Sequence, residues 1–346
     1  RLRDGLTHEA PGRRGLAALL LHELGDPAGT ATLQRLARGD DPDRLAVVGM
    51  LLDTAWTHGL PRSGDWAGRL SERDDLPPAL EAQALKVAIR FGDADAERRW
   101  TQRITETRDV SWRTRLALTG LEVAPWVEPD RFAPMTTDDD ELIATLGVAA
   151  AAVVQARLDP TRAVGAETAV TDLIGLGHPR ACRWAADYAR QTASPELARA
   201  VIEQTPPGEL RGRARRLDAV ATATQTLLEL DPDLAERRLL DLLATDATDD
   251  ARRRAVLLGL IRSRSEAAQR ICAALPPFTD RPTAALAMVQ RVRRPEPLTD
   301  DEAQALSRLV RGDDRLDESL RIQTAWAYLR RTGQADEAIT AVLARP

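Results

Sequence analysis

The spacing of helix-starting signals constrains this sequence more than any other feature. Apolar residues recur with a helical period almost throughout: Ala335, Ala338, Ile339 and Val342 fall at i, i+3, i+4 and i+7, as do Ile322, Ala325, Trp326 and Leu329. Sustained runs of alternating Val, Ile, Thr and aromatic residues are missing, and no Asn-Gly or Asp-Gly pair lies between strand-like segments. Residues that begin helices cut this pattern at short intervals. Asp and Ser accept hydrogen bonds from the unpaired N–H groups of a first turn, and Pro suits the first helical position. Such signals stand at Asp41-Pro42, Leu76-Pro77, Asp109-Val110, Asp159-Pro160, Ser194-Pro195, Asp231-Pro232, Asp249-Asp250, Pro276-Pro277 and Asp313-Asp314. They mark out roughly twenty helices in about ten antiparallel pairs, about 35 residues each, which is the spacing of stacked helix hairpins. The expected fold is all-α, a right-handed α-α superhelix (solenoid) running over residues 1–346 as a single array. A bend or lobe boundary is expected near 125–140, where Pro129, Phe132, Pro134 and Met135 break the period, and a second break near 205–208 at Thr205-Pro206-Pro207-Gly208.

Composition agrees with such a stack. Aromatics are 3% of the residues, so Leu, Ala and Val must build the interior, and small side chains let helices lie close. Lys86 is the single lysine, and Asn does not occur; both use AT-rich codons, which reads as the imprint of a high-GC bacterium. A net charge of -5 does not favour nucleic acid or an anionic membrane as partner. Cys182 and Cys272 form no framework and read as buried thiols. The uncharged stretch between Glu141 and Arg157 is short and Ala-rich for a membrane span, so a buried helix is expected there. The cytoplasm is the expected compartment, with export left open because the chain starts at Arg1 without an initiator Met.

Several segments resemble known helical repeats. Asp109-Val110-Ser111-Trp112-Arg113 with Leu116 and Ala117, Asp40-Asp41-Pro42-Asp43-Arg44 with Ala46, and Asp249-Asp250-Ala251-Arg252-Arg253 with Ala255 are similar to HEAT repeats. Those repeats carry an Asp before the helix, an Arg four residues on and small residues behind. The last pair resembles a tetratricopeptide repeat: Ala325, Gly333 and Ala338 match its small positions, while Leu329 and Val342 replace its usual Tyr and Phe. Arg321 and Thr324 depart from it, standing where that family has Trp and Leu. The resemblance implies a superhelical scaffold with a concave surface, most often for a protein or peptide, and no cofactor.

Reactive chemistry leaves few marks. His8, His22, His58 and His178 include no pair at i, i+3 or i+4; Cys-x-x-Cys, GxSxG, P-loop and GxGxxG motifs do not occur. Asp138-Asp139-Asp140-Glu141 superficially resembles the diphosphate motif of isoprenoid synthases, but it precedes Leu142-Ile143, where carboxylates cap a helix. Trp56, Trp66, Trp100, Trp112, Trp126, Trp184 and Trp326 could be the sugar platforms of an α/α toroid; their scatter along the chain favours anchors between helix pairs. Residues 251–294 hold ten arginines against two carboxylates. Arg252, Arg253, Arg254, Arg262, Arg264 and Arg270 are thus candidate contacts for an acidic segment, a phosphate or a nucleic-acid backbone. Arg253 and Arg264, three turns apart, would share one face. The competing reading makes them Arg–Asp pairs between neighbouring repeats. The leading expectation is a non-enzymatic scaffold that binds a protein or peptide along a groove. The alternatives are an all-α enzyme, isoprenoid-synthase-like or toroidal, and a nucleic-acid-binding HEAT array.

Overall fold

The computed structural model describes residues 2–38, 42–206, 213–245, 250–263 and 265–275, and isolated positions from 299 to 342. Among the described residues there are sixteen α-helices and no strand, so the chain is all-α. It divides into two compact units, Arg1–Leu173 and Ile174–Pro346. The first holds α1 (Pro11–Glu23), α2 (Pro27–Ala37), α3 (Pro42–His58), α4 (Ser63–Ser71), α5 (Pro78–Arg90), α6 (Ala94–Glu106), α7 (Val110–Val123), α8 (Ala133–Thr136) and α9 (Glu141–Leu158). The helix α10 (Ala163–Gly175) spans the division. The second unit holds α11 (Pro179–Gln191), α12 (Pro195–Gln204), α13 (Arg213–Leu230), α14 (Pro232–Ala244), α15 (Asp250–Arg262) and α16 (Glu266–Ala274).

The starting signals act as local chemistry predicts. Asp109 accepts from the N–H groups of Ser111 and Trp112, Ser194 from Leu197, and Asp231 from Leu234, each at a helix N-terminus. Asp159 caps a 3-10 turn, Pro160–Arg162, and the α-helix begins only after it. The signals at Asp41, Asp249, Pro276-Pro277 and Asp313-Asp314 lie outside the described residues. Stop signals complete the hairpins. Gly25 follows α1 with φ of 80°; the N–H of Asp26 reaches back to the carbonyl of Leu21, and the Asp26 side chain then caps α2. The same closure recurs at Gly92-Asp93 between α5 and α6, and at Ala193-Ser194 between α11 and α12. A turn this short forces the two helices to lie antiparallel.

Packing follows a two-layer rule. In the first unit α1, α3, α5, α7 and α9 pack in succession, while α2, α4, α6 and α8 form a second row behind them. In the second unit α11, α13 and α15 pack in succession, α12 lies against α11 and α13, and α14 lies against α13 and α16. A helix sandwiched in this way buries more than one face. On α5, Leu80, Ala82, Ala84, Leu85, Val87, Ala88 and Ile89 are all buried. By contrast α6, in the back row, buries only Ala96, Trp100 and Ile104. Among the described helices α9 alone is long and apolar enough to cross a bilayer, yet Ile143, Leu146, Ala149, Ala150, Val153 and Val154 are buried and it packs on α7 and α8.

The 125–140 stretch is folded into the first unit. It forms two 3-10 turns, Ala124–Trp126 and Pro129–Phe132, and then α8, which packs on α9; Phe132 and Met135 are fully buried. At the second break Thr205 is buried, and its carbonyl accepts from Arg252 at 2.8 Å. Of the segment resembling a tetratricopeptide repeat, Ala325 and Val342 are buried and Gly333 has φ of 66°, while Ala338 lies outside the described residues.

Asp26 offers a direct test of the capping scheme. It accepts from the Ala28 N–H at 2.9 Å and from Arg3 at 2.7 Å, and these contacts, the backbone one first, hold its carboxyl below the ordinary 3.8. A depressed folded-state pKa contributes stability that is complete above the unfolded value and is lost as pH falls through the folded one. Asp26→Ala is therefore expected to unfold more readily than the parent at pH 7, with the gap closing below pH 3.8. Urea titrations of both proteins across that window check this. An equal deficit at neutral and strongly acidic pH would remove the carboxylate from the account.

Candidate functional site

The exposed side of the odd-numbered row in the first unit carries an unusual cluster near the C-terminal ends of α3, α5 and α7. Lys86 and Arg90 stand one turn apart on α5, between Trp56 of α3 and the pair Glu122 and Trp126, at the end of α7 and in the 3-10 turn after it. The Trp56 and Trp126 rings meet edge to face, with centroids 5.5 Å apart at 79°. Because α5 packs against both α3 and α7, this contact closes over the end of α5. Lys86 Nζ lies 4.4 Å from the Trp56 ring centroid and 2.9 Å from Glu122 Oε2. The Arg90 guanidinium lies 4.8 Å from the Trp56 ring, 5.3 Å from Trp126 and 5.5 Å from Phe91, and one of its Nη1 hydrogens goes to the Trp56 carbonyl oxygen. Cation–ring contacts of this kind contribute about 0.5–2 kcal/mol each, the higher figure when desolvated. They also fix rotamers that a surface lysine or arginine would otherwise sample freely.

The cluster is not sealed. Trp126 is 43% exposed, and Met50 on α3 is 38% exposed. One turn back from Trp56 on α3, an open depression of about 570 Å³ is lined by Ala46, Gly49, Met50, Asp53, Thr54, Thr57 and His58, with Gln83 of α5 as its far wall. Asp53 and Trp56 are three residues apart and so adjacent on the helix surface. The amide of Gln83 donates to Asp53 at 3.4 Å. Apolar floor, amide, carboxylate and hydroxyl groups lie within one open surface.

Each described arginine of those singled out in the sequence has a partner within the protein. Arg252 donates to the carbonyls of Glu203 and Thr205, at the C-terminal end of α12, at 2.8 Å each. Arg253 donates to the Thr245 carbonyl at 2.6 Å and pairs with Asp250, and Arg254 bonds the Asp250 carbonyl at 3.0 Å. Arg262 reaches Asp218 of α13 at 2.8 Å, and Arg270 reaches Glu236 of α14 at 2.8 Å. Asp218 also pairs with Arg183 of α11, so Arg183, Asp218 and Arg262 tie α11, α13 and α15 together. Arg264 lies outside the described residues, as do Arg281, Arg291, Arg293 and Arg294. An anionic partner at this end of the chain would compete with protein carbonyls and carboxylates for each described arginine.

Asp140 caps α9 by accepting from Leu142 and Ile143, and Asp138 pairs with Arg113 and accepts from the Asp140 N–H. The carboxylates of the run 138–141 are thus distributed around a helix start. Among the described residues no three His, Cys, Asp or Glu side chains converge as a metal ion requires. His22 is buried, with its ring nitrogens bonded to Thr30 Oγ1 at 2.8 Å and to the Arg62 carbonyl at 2.9 Å, joining α1 to the turn before α4. The tryptophans divide by role. Trp66 and Trp100 are buried, whereas Trp56 and Trp126 meet despite their separation in the chain, and Trp184 stacks on Tyr188 at 5.0 Å.

Sequence reading overlooked the Trp56–Arg90–Trp126 cluster, although its signal was present. These residues are 34 and 36 apart, one hairpin period at each step. Equivalent positions of consecutive hairpins fall side by side in a stack. A comparison of the chain with models of known protein families and with curated proteins finds no match to either.

Proposed function

We propose that this chain is a non-enzymatic helical-repeat scaffold, related in design to HEAT and tetratricopeptide arrays, that binds a protein or peptide segment along the exposed face of α3, α5 and α7. The observation that carries this reading is the half-exposed Trp126 held against Trp56 and Arg90 beside an open depression. Binding energy at protein interfaces concentrates in Trp, Tyr and Arg side chains, and groups already held in place lose little freedom on association. The side-by-side packing of the odd-numbered helices supports the same reading, since it lines up side chains from successive hairpins as a continuous strip.

Random dodecapeptides displayed on phage, panned against the protein with Trp126→Ala as a soluble competitor, provide the test. The expected result is a set of peptides that bind the parent and lose about tenfold or more in affinity on Trp126→Ala, as truncating an anchor residue does. Trp126→Ala also removes the ring contacts with Trp56 and Arg90, so a modest fall in melting temperature is expected, and affinities are compared at a temperature where both proteins are fully folded. Peptides indifferent to this substitution, or none at all, would refute the proposed face.

A further inference from the structure

We infer that the segment bound at this face is acidic, presenting an Asp or Glu side chain to Arg90 next to an aliphatic or aromatic residue seated in the Met50 depression; this rests on the binding role proposed above. Arg90 is half-buried, and among the described residues it has no carboxylate partner. Besides the aromatic rings around it, the guanidinium meets the C-terminal end of α3, through one hydrogen bond to the Trp56 carbonyl. A guanidinium has five N–H donors, so four are left after that bond. The rings of Trp56, Trp126 and Phe91 around the guanidinium restrict its movement without using those donors. A planar fork restrained in this way matches a carboxylate, which accepts two parallel N–H bonds.

The neighbouring charges leave this role to Arg90. Lys86 is neutralised by Glu122 at 2.9 Å, with side chains only 12% and 22% exposed. Asp53 is exposed one turn back and takes a Gln83 amide hydrogen, which suits it to accept a main-chain N–H from the same segment. His58, at the end of α3, also lines the depression. The apolar contribution comes from Met50, whose unbranched thioether adapts to aliphatic and aromatic shapes alike. A structural role for Arg90 as a cap on α3 predicts the same geometry in the free protein but no preference among ligands, and the experiment separates the two.

The probe is the set of phage-selected dodecapeptides that discriminate against Trp126→Ala. These peptides should carry Asp or Glu beside a large apolar residue. Changing that acid to Asn or Gln should weaken binding about tenfold, as loss of a charge-assisted pair does. Arg90→Gln should weaken the acidic peptide equally and make it insensitive to the same swap, while Arg90→Lys should recover part of the affinity. The peptide-side swap on the parent protein decides the matter even where Arg90→Gln disturbs folding. Discriminating peptides without a carboxylate, or with one whose neutralisation costs nothing, would overturn the acidic assignment and leave the binding face standing. A library in which no peptide discriminates would overturn both.

Discussion

Trp100→Ala is expected to destabilise the protein by about 3–5 kcal/mol, the usual cost of deleting a buried tryptophan. Trp100 lies on α6 with no exposed surface. Its indole Nε1 donates to the Leu116 carbonyl of α7 at 2.9 Å, and its ring meets Phe132 edge-on with centroids 5.6 Å apart. Truncation removes contacts to two neighbouring segments together and opens a void that surrounding leucines cannot fill without moving helices. Domains of this kind have a total stability of about 5–15 kcal/mol, so the loss is a large share of it. Urea denaturation followed by circular dichroism measures it, with Trp100→Phe expected to lose less because it keeps part of the ring contact. A deficit below about 1 kcal/mol would contradict the packing described, since a cavity of this size costs more.

Gly29→Val is the second large effect. A side-chain carbon at Gly29 of α2 would lie 2.6 Å from both the Ala18 carbonyl oxygen and the His22 amide nitrogen of α1, and 2.7 Å from Leu21 Cβ. Two of those atoms are main chain and cannot swing aside, so α2 must move off α1. The movement also pulls on the bonds from His22 to Thr30 and to the Arg62 carbonyl, which tie this hairpin to the turn before α4. The expected loss is about 3 kcal/mol, at the upper end for overpacking, because no flexible side chain absorbs the strain. Thermal melts of Gly29→Val against the parent test this. Coincident curves would mean that α1 and α2 do not approach so closely.

These two sites differ in how well the sequence announced them. The helical period, and caps such as Asp109, Ser194 and Asp231, are local chemistry that acts within one turn, so the all-α fold and its hairpins were legible. Gly29 was not, because a glycine inside a helix shows no sign of the backbone it will meet. For the arginine-rich stretch the sequence raised Arg–Asp pairs between neighbouring repeats as a competing reading but could not name the partners. Counted along the chain the stretch is a concentration of positive charge, but Arg252, Arg262 and Arg270 reach partners 34 to 49 residues away. A local tally of charge cannot register such partners. The acidic run 138–141 was read correctly as a helix start, whereas the pairing of Asp138 with Arg113 depends on how two hairpins stack. Trp56 and Trp126 posed the same difficulty, and only comparison at the hairpin period would have joined them.

The position of Lys86 gives the chain an unplanned reporter. It is the sole lysine, so apart from the α-amino group it carries the only primary amine available to acylating reagents. That amine is held between the Trp56 ring and Glu122, with its side chain 12% exposed. Its labelling rate therefore gauges how often this corner loosens, and slower labelling on adding a ligand would register occupancy without any engineered tag.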